Sequence, residues 1–203
     1  MILPPKYKIM KTVIGDPARL YYVPLINRIW IKRLSKSLDL LGYGHLSVLE
    51  IGFGSGILFP ELKKRSEKVS AIDNHLYVDK IKKIFPEIEI TKANAEKLPF
   101  GKNKFDAIIG ISILEHLSNP EEAIEEIKRI LKSDGIAVFA FPIRTKINDF
   151  IFWILTYFQE HEFGDHKFYA QEIKPLLEKH FKIVKEIKIF QNAYQIVKVK
   201  KEF

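Results

Sequence analysis

The stretch Val48-Leu49-Glu50-Ile51-Gly52-Phe53-Gly54-Ser55-Gly56 carries an apolar run straight into three alternating glycines, with a carboxylate two residues ahead of the first. A short apolar run bounded by glycines reads as a buried strand. Glycines at that spacing let the backbone turn sharply and approach a ligand that a Cβ would exclude. In an open sheet of alternating strands and helices, such a turn lies at the carboxyl end of its strand and aims the amides of the next helix at the bound molecule. A nucleotide-like ligand lying flat against this loop is the first expectation.

The same kind of turn serves NAD, FAD and S-adenosylmethionine folds, so the choice among them rests on detail. The spacing here is G-x-G-x-G, whereas the dinucleotide fingerprint is G-x-G-x-x-G, whose last glycine allows close helix packing beneath a pyrophosphate. Glu50 sits on the strand end, where a carboxylate repels a pyrophosphate but can hold a cationic amino group, directly or through water. An amino-acid-bearing ligand suits that position. Asp73 follows the apolar run Val69-Ser70-Ala71-Ile72. It stands about 20 residues beyond the glycines, the usual place for a carboxylate that accepts ribose hydroxyls.

With these residues the chain resembles the class I S-adenosylmethionine-dependent methyltransferases, in particular the small-molecule branch that includes ubiquinone and menaquinone biosynthesis enzymes. The resemblance spans roughly residues 46 to 142 and continues weakly to about 185. It includes Ala93-Asn94-Ala95-Glu96-Lys97-Leu98-Pro99-Phe100, similar to the family's adenine-binding turn, with Asn94 where the family usually has Asp. An Asn amide oxygen can still accept from an adenine amino group. Phe105-Asp106-Ala107-Ile108-Ile109-Gly110 and Leu114-Glu115-His116-Leu117 resemble the fourth strand and the loop over the methyl group. Ile130 to Phe139 resembles the following helix end, turn and fifth strand.

The resemblance implies a Rossmann-like α/β fold: a seven-stranded, mostly parallel sheet with an antiparallel last strand and helices on both faces. It implies S-adenosyl-L-methionine as cofactor, held by Glu50, Gly52, Phe53, Gly54, Ser55, Gly56, Asp73, Asn74, Asn94, Ala95, Glu96 and Ile111. The expected acceptor is a small molecule, apolar or aromatic, methylated on oxygen or carbon. RNA or protein methylation, or a non-catalytic subunit that binds the cofactor, stand as alternatives.

Composition narrows these. At 203 residues and 47% hydrophobic, the chain can bury one full core, and we expect a single domain over residues 1–203. Within it, residues 1–45 form an N-terminal helical cap, and a helical insert over 144–170 covers the acceptor site. Val23 to Ile31 and Phe150 to Phe158 are too short to span a bilayer, which needs ~20 apolar residues. Pro4, Pro5 and several lysines interrupt the start before any apolar run, so no signal peptide is read and a cytoplasmic location is expected. With no cysteine there is no disulfide, thiolate metal site or cysteine nucleophile, which excludes cytosine-C5 methylation. The formal charge of +8 invites a nucleic-acid partner, but the lysines are scattered over helix faces and terminal strands, and a phosphate-tracking groove more often uses Arg among exposed aromatics.

Periodicity sets the element order. Asp16 and Pro17 open a helix over 17–41, with apolar residues at helical spacing from Leu20 to Leu41. Beyond Gly44, strand and helix alternate, which implies a parallel sheet. Asn119-Pro120-Glu121-Glu122 is a helix start, with a cap, a proline and two acids in the first turn. An apolar helix is expected at about 147–158 and another at 171–179. Phe181 to Phe190 and Ala193 to Lys200 read as two strands joined at Gln191-Asn192.

Methyl transfer from a sulfonium is an in-line displacement on an activated donor, so the protein mainly aligns the acceptor, excludes water and, where needed, removes a proton. His116, after the fourth strand, and His166, at the end of the polar turn Glu160 to Asp165, are the candidate bases. No helical metal-ligand spacing is present and no metal is expected. The [DNS]-P-P-[YFW] signature of exocyclic-amine and glutamine methylases is replaced by Gly110-Ile111-Ser112-Ile113, which argues against methylation of base amines. The all-round apolar segment Phe150 to Phe158, with Tyr21, Tyr22 and Trp30 of the N-terminal helix, is expected to enclose the acceptor.

Overall fold

A computed structural model describes residues 1–12, 17–23, 26–145 and 167–201. Seven strands, β1 (His45–Ile51), β2 (Ser66–Asp73), β3 (Glu89–Lys92), β4 (Phe105–Ile111), β5 (Leu131–Pro142), β6 (Phe181–Ile189) and β7 (Tyr194–Lys201), join one sheet in the order β3-β2-β1-β4-β5-β7-β6. β1 to β5 pair in parallel, and β7 runs antiparallel between β5 and β6. The chain leaves β1 toward β2 and β3, then returns to lay β4 on the other side of β1. That reversal makes the carboxyl ends of β1 and β4 the switch point, where an open α/β sheet leaves a crevice for a ligand.

Strand alternation divides the core into two layers. Val48, Ala107, Ile109 and Val138 face α1 (Ile26–Leu41), α2 (Phe59–Arg65) and α3 (Val78–Ile84). Leu49, Ile51, Ile108, Ala137 and Phe139 face α4 (Pro120–Ile130) and α5 (Ala170–His180). Central strands covered on both faces are buried along their length, as Val48 through Ile51 and Ala107 through Gly110 are, and all of these but Glu50 are uncharged. α4 starts as its sequence directs: the Asn119 side chain accepts from Glu122 N at 3.3 Å, with Pro120 in the first turn.

The structure corrects three boundaries. The helix expected over 17–41 is a 3₁₀ helix, Pro17–Tyr22, followed by α1 from Ile26. Pro24 falls between them, and it has no amide hydrogen to continue a helix. β5 begins at Leu131, not at Ile136; its pairing with β4 jumps from Phe105–Leu131 to Ala107–Ile136, so the intervening residues bulge out of register. The final hairpin turns through Phe190, Gln191 and Asn192, whose φ values of 54°, 52° and 69° are left-handed, one residue more than the dipeptide expected. The apolar helix at 147–158, and most of the insert at 144–170, lie outside the described residues. Among the described residues no helix is long and apolar enough to cross a membrane.

Candidate functional site

The glycine turn leaves β1 in the conformation its composition requires. Gly52, Gly54 and Gly56 have φ values of 74°, 52° and 75°, a region that side-chain-bearing residues rarely adopt. The end of β2 grips this turn from both sides. Gly54 N donates to Asp73 Oδ2 at 2.9 Å, and Gly54 O lies 3.0 Å from His75 Nε2. Tyr77 N donates to His75 Nδ1 at 3.0 Å, which leaves Nε2 as the N–H donor to Gly54. His75 was not singled out from the sequence: it follows Asp73 by two residues, but its role depends on β1 lying beside β2.

Glu50 is the electrostatic centre of the turn. It is 4% exposed, and its Oε2 has no hydrogen-bond partner. Burial first, and the Asp73 carboxylate second, push its pKa well above the ordinary range. Asp73 is better solvated and also accepts from Asn74 N at 2.8 Å. An oriented carboxylate with an open acceptor, next to backbone that no side chain covers, is built for a donor-bearing ligand.

The remaining cofactor candidates divide. Phe53 is buried, with its ring 5.6 Å from Phe59 and 5.4 Å from His75, so its side chain belongs to the core and only its backbone can face a ligand. Ser55 is buried beside it, and Asn74 is exposed. In the turn after β3, Asn94 Oδ1 accepts from Glu96 N at 3.0 Å, while Asn94 Nδ2 donates to Glu96 Oε2 at 3.0 Å. Glu96 Oε1 accepts from Asn119 N at 2.7 Å, a bond that holds its pKa below the usual range. Asn94 thus has one acceptor lone pair left for a ligand, and Glu96 braces the turn against the start of α4. Ala95 is buried, and Ile111 ends β4 half-buried.

The loop after β4 rests on the glycine turn. A Cβ on Gly52 would come within 3.0 Å of the Ile113 side chain, and one on Gly110 within 2.9 Å. The loop continues as a 3₁₀ turn, Leu114–His116, in which His116 is exposed while Glu115 is fully buried. His166, the other candidate base, lies outside the described residues. Of the three aromatic residues expected over the site, Tyr21 is buried and meets Trp30 edge-on at 6.3 Å. Tyr22 turns the other way, donating to Pro4 O at 2.5 Å, and burial raises its pKa to about 12.

Among the described residues, one group has metal-ligand character: Glu121, Glu125 and His180, with ligand atoms within 4.8 Å of one another. It lies on α4 and α5, away from the glycine turn, and Glu121 Oε1 already accepts from Lys179 Nζ at 2.6 Å. A cation there would have to displace a lysine.

Residues 49–139 match the methyltransferase domain family. The matched segment runs from β1 through β5 and holds the glycine turn, Asp73 and the loop after β4. The chain is 28% identical over 147 residues to the ubiquinone biosynthesis O-methyltransferase of Pelagibacter ubique, covering 69% of this chain and 58% of that one. It spans only 36% and 33% of the length of other curated relatives it matches. In fold it is similar to the PH0226 protein of Pyrococcus horikoshii, with a TM-score of 0.72 at 18% identity over 97% of this chain and 98% of that one. It is also similar to the N-methyltransferase NodS of Bradyrhizobium japonicum, crystallised with S-adenosylhomocysteine, with a TM-score of 0.68 at 16% identity over 95% of both chains. Residues 49–139 thus match a methyltransferase domain, and the seven-stranded sheet of the described chain has the fold of these solved structures.

Proposed function

We propose that residues 1–203 form one unit that binds S-adenosylmethionine and moves its methyl group to a small apolar or aromatic acceptor, on oxygen or carbon. The observation that carries the cofactor assignment is Glu50: a buried carboxylate oxygen without a partner, at the foot of a left-handed glycine turn. The residues present fit the group. Glu50 would take the ammonium of the amino-acid moiety, and the backbone of Gly52, Gly54 and Gly56 would lie against it. Asp73 would accept from the ribose hydroxyls, with Asn74 at its side. Asn94, Ala95 and Glu96 would border the adenine, with Ile111 on the opposite strand end. Bound there, the sulfonium supplies an activated methyl group.

Three observations support the acceptor class. The quinone-related relative named above is an O-methyltransferase. The signature of amine methylases is missing from Gly110 to Ile113. Tyr21 and Trp30 bring aromatic surface to the carboxyl-end side of β4, where Arg33 of α1 bonds Ser112. In this reading residues 1–45 cap the site, 144–170 cover it, and His166 or His116 are the bases first considered.

Calorimetry with S-adenosylmethionine, S-adenosylhomocysteine and NAD tests the cofactor, and an acceptor panel read by S-adenosylhomocysteine release tests the rest. We expect both sulfur ligands to bind, NAD not to, and turnover on phenolic or lipid-like acceptors. NAD binding with no response to the sulfur ligands would overturn the first part. Turnover only on RNA or protein would overturn the second, and binding without turnover on any acceptor would favour a partner subunit.

A further inference from the structure

Ser112, the first residue after β4, has a φ of 53°, in the left-handed region that side-chain-bearing residues rarely adopt. Unlike Gly52, Gly54 and Gly56 it carries a Cβ, so the conformation costs free energy and persists where its surroundings impose it. Ser112 N donates to Ala140 O of β5 at 2.8 Å. Its Oγ accepts from Arg33 Nη1 at 2.6 Å, and the same hydroxyl is a hydrogen-bond partner of the buried Glu115 carboxyl. Arg33 has little freedom to let go. It stands in the middle of α1, 4% exposed, with its guanidinium carbon 5.2 Å from the Trp30 ring centre and 5.0 Å from that of Tyr194. Its Nη2 donates to Tyr21 OH at 3.3 Å. A planar, permanently charged group stacked on rings keeps its donors aimed, and a charged donor makes the stronger kind of hydrogen bond.

The pinned turn sets the position of Ile113. Its side chain lies against both Gly52 of the cofactor turn and Gly110 of β4, close enough that a Cβ on either would meet it at 3.0 or 2.9 Å. Two residues on, Glu115 O accepts from Lys167 N at 2.9 Å and Phe168 N at 3.3 Å. The loop thus receives α1 on one side and the segment leading into α5 on the other, and it rests on the glycine turn. Glycine at position 112 would hold the left-handed turn unaided. Serine holds it with the help of Arg33, so the shape of the loop follows the docking of α1.

We propose that Arg33 is a positioning residue for the cofactor site. Through the Ser112 hydroxyl it holds the loop after β4 in its left-handed turn and Ile113 against the glycine turn, which makes cofactor affinity depend on the docking of the N-terminal helix. This rests on the methyltransferase function proposed above. Arg33 acts through Ser112 and Ile113, and its effect is on how well the loop is formed before the ligand arrives.

The test is calorimetry of the full chain with S-adenosylhomocysteine. Arg33→Met removes the donor and keeps an apolar stem between the rings; Ser112→Ala removes the acceptor and keeps the Cβ. Each should weaken binding about tenfold. Adding Ser112→Gly to Arg33→Met should recover at least about threefold of that loss, because glycine takes the turn without a pin. Thermal melts separate this from a structural role: the packing of Arg33 on Trp30 and Tyr194 is lost in both backgrounds, and glycine does not restore it. Where Arg33→Met does not fold, Ser112→Gly should still bind at least about threefold more tightly than Ser112→Ala. Parent-like affinity in folded Arg33→Met or Ser112→Ala, or a loss that glycine does not recover, overturns the positioning role. Failure of the parent to bind S-adenosylhomocysteine would instead overturn the methyltransferase reading itself.

Discussion

The two ends of the central strands treat buried charge in opposite ways. At the amino ends, Asp106 of β4 accepts from Ser47 N at 2.8 Å, Ser47 Oγ at 2.7 Å and Lys132 Nζ at 2.7 Å. Burial alone would raise its pKa, but Lys132 and Ser47 outweigh it and hold the carboxyl below its usual range. At the carboxyl ends, Glu50 keeps an unpartnered oxygen, Arg33 keeps an open Nε–H, and burial pushes the Glu50 and Glu115 carboxyls up. A satisfied carboxylate ties strands together; an unsatisfied one is held ready for something that is not in the chain. The same sheet therefore carries a structural end and a ligand end, distinguished by whether its polar groups are complete.

The largest effect on this contrast should come from Asp73, which works at both levels: it holds Gly54 N and stands where ribose hydroxyls arrive. Asp73→Ala should weaken S-adenosylhomocysteine binding by about 1.5 to 3 kcal/mol, the range for hydrogen bonds to a charged group. Isothermal calorimetry measures it, with circular dichroism as the check that the variant stays folded. Parent-like affinity would break the assignment of the ligand end.

The complementary change belongs to the structural end. Asp106→Ala leaves Ser47 N–H and Lys132 without their acceptor, and because the Asp106 side chain is 24% exposed, water recovers part of the loss. We expect about 1 to 2 kcal/mol less stability by urea denaturation and no change in cofactor affinity. A variant that loses affinity as much as stability would show that the two ends are not separable.

Much of the ligand end was legible because its signals are local. Gly52, Gly54, Gly56 and Glu50 lie within seven consecutive positions, and Asp73 ends the next strand at a spacing the fold imposes. The sheet and its antiparallel close were legible for the same reason, since alternation and strand length need only neighbours. What the sequence hid depends on contacts between distant elements. Arg33 and Ser112 are 79 positions apart, and nothing in an amphipathic helix distinguishes an arginine that will be sealed between Trp30 and Tyr194 from one in water. Glu115 and His116 are adjacent, and the sequence favoured the histidine; a single 3₁₀ turn exposes the histidine and buries the glutamate. Phe53 looked like part of the cofactor loop because its neighbours are, yet its ring completes the core beneath it.

The smallest expected effect is the most diagnostic, because it changes sign between the free and loaded protein. Glu50 has a folded-state pKa raised well above its ordinary value of 4.5, by burial and by Asp73. Such a group contributes stability that is complete below its unfolded pKa and is lost as pH rises toward the folded one. At neutral pH the free protein therefore carries a penalty for Glu50, whether it ionises in place or stays protonated. Glu50→Gln removes the titration, so the free variant should match or exceed the parent by up to about 1 kcal/mol at pH 7 and lose that advantage below pH ~5. With S-adenosylmethionine present the order should reverse, because the ammonium that relieves the parent's carboxylate gains little from an amide. Thermal melts of both proteins from pH 5 to 8, with and without ligand, measure the two orders. Parallel curves throughout would show that Glu50 neither strains the free fold nor meets the cofactor, and the ligand end would then rest on Asp73 and the glycine turn alone.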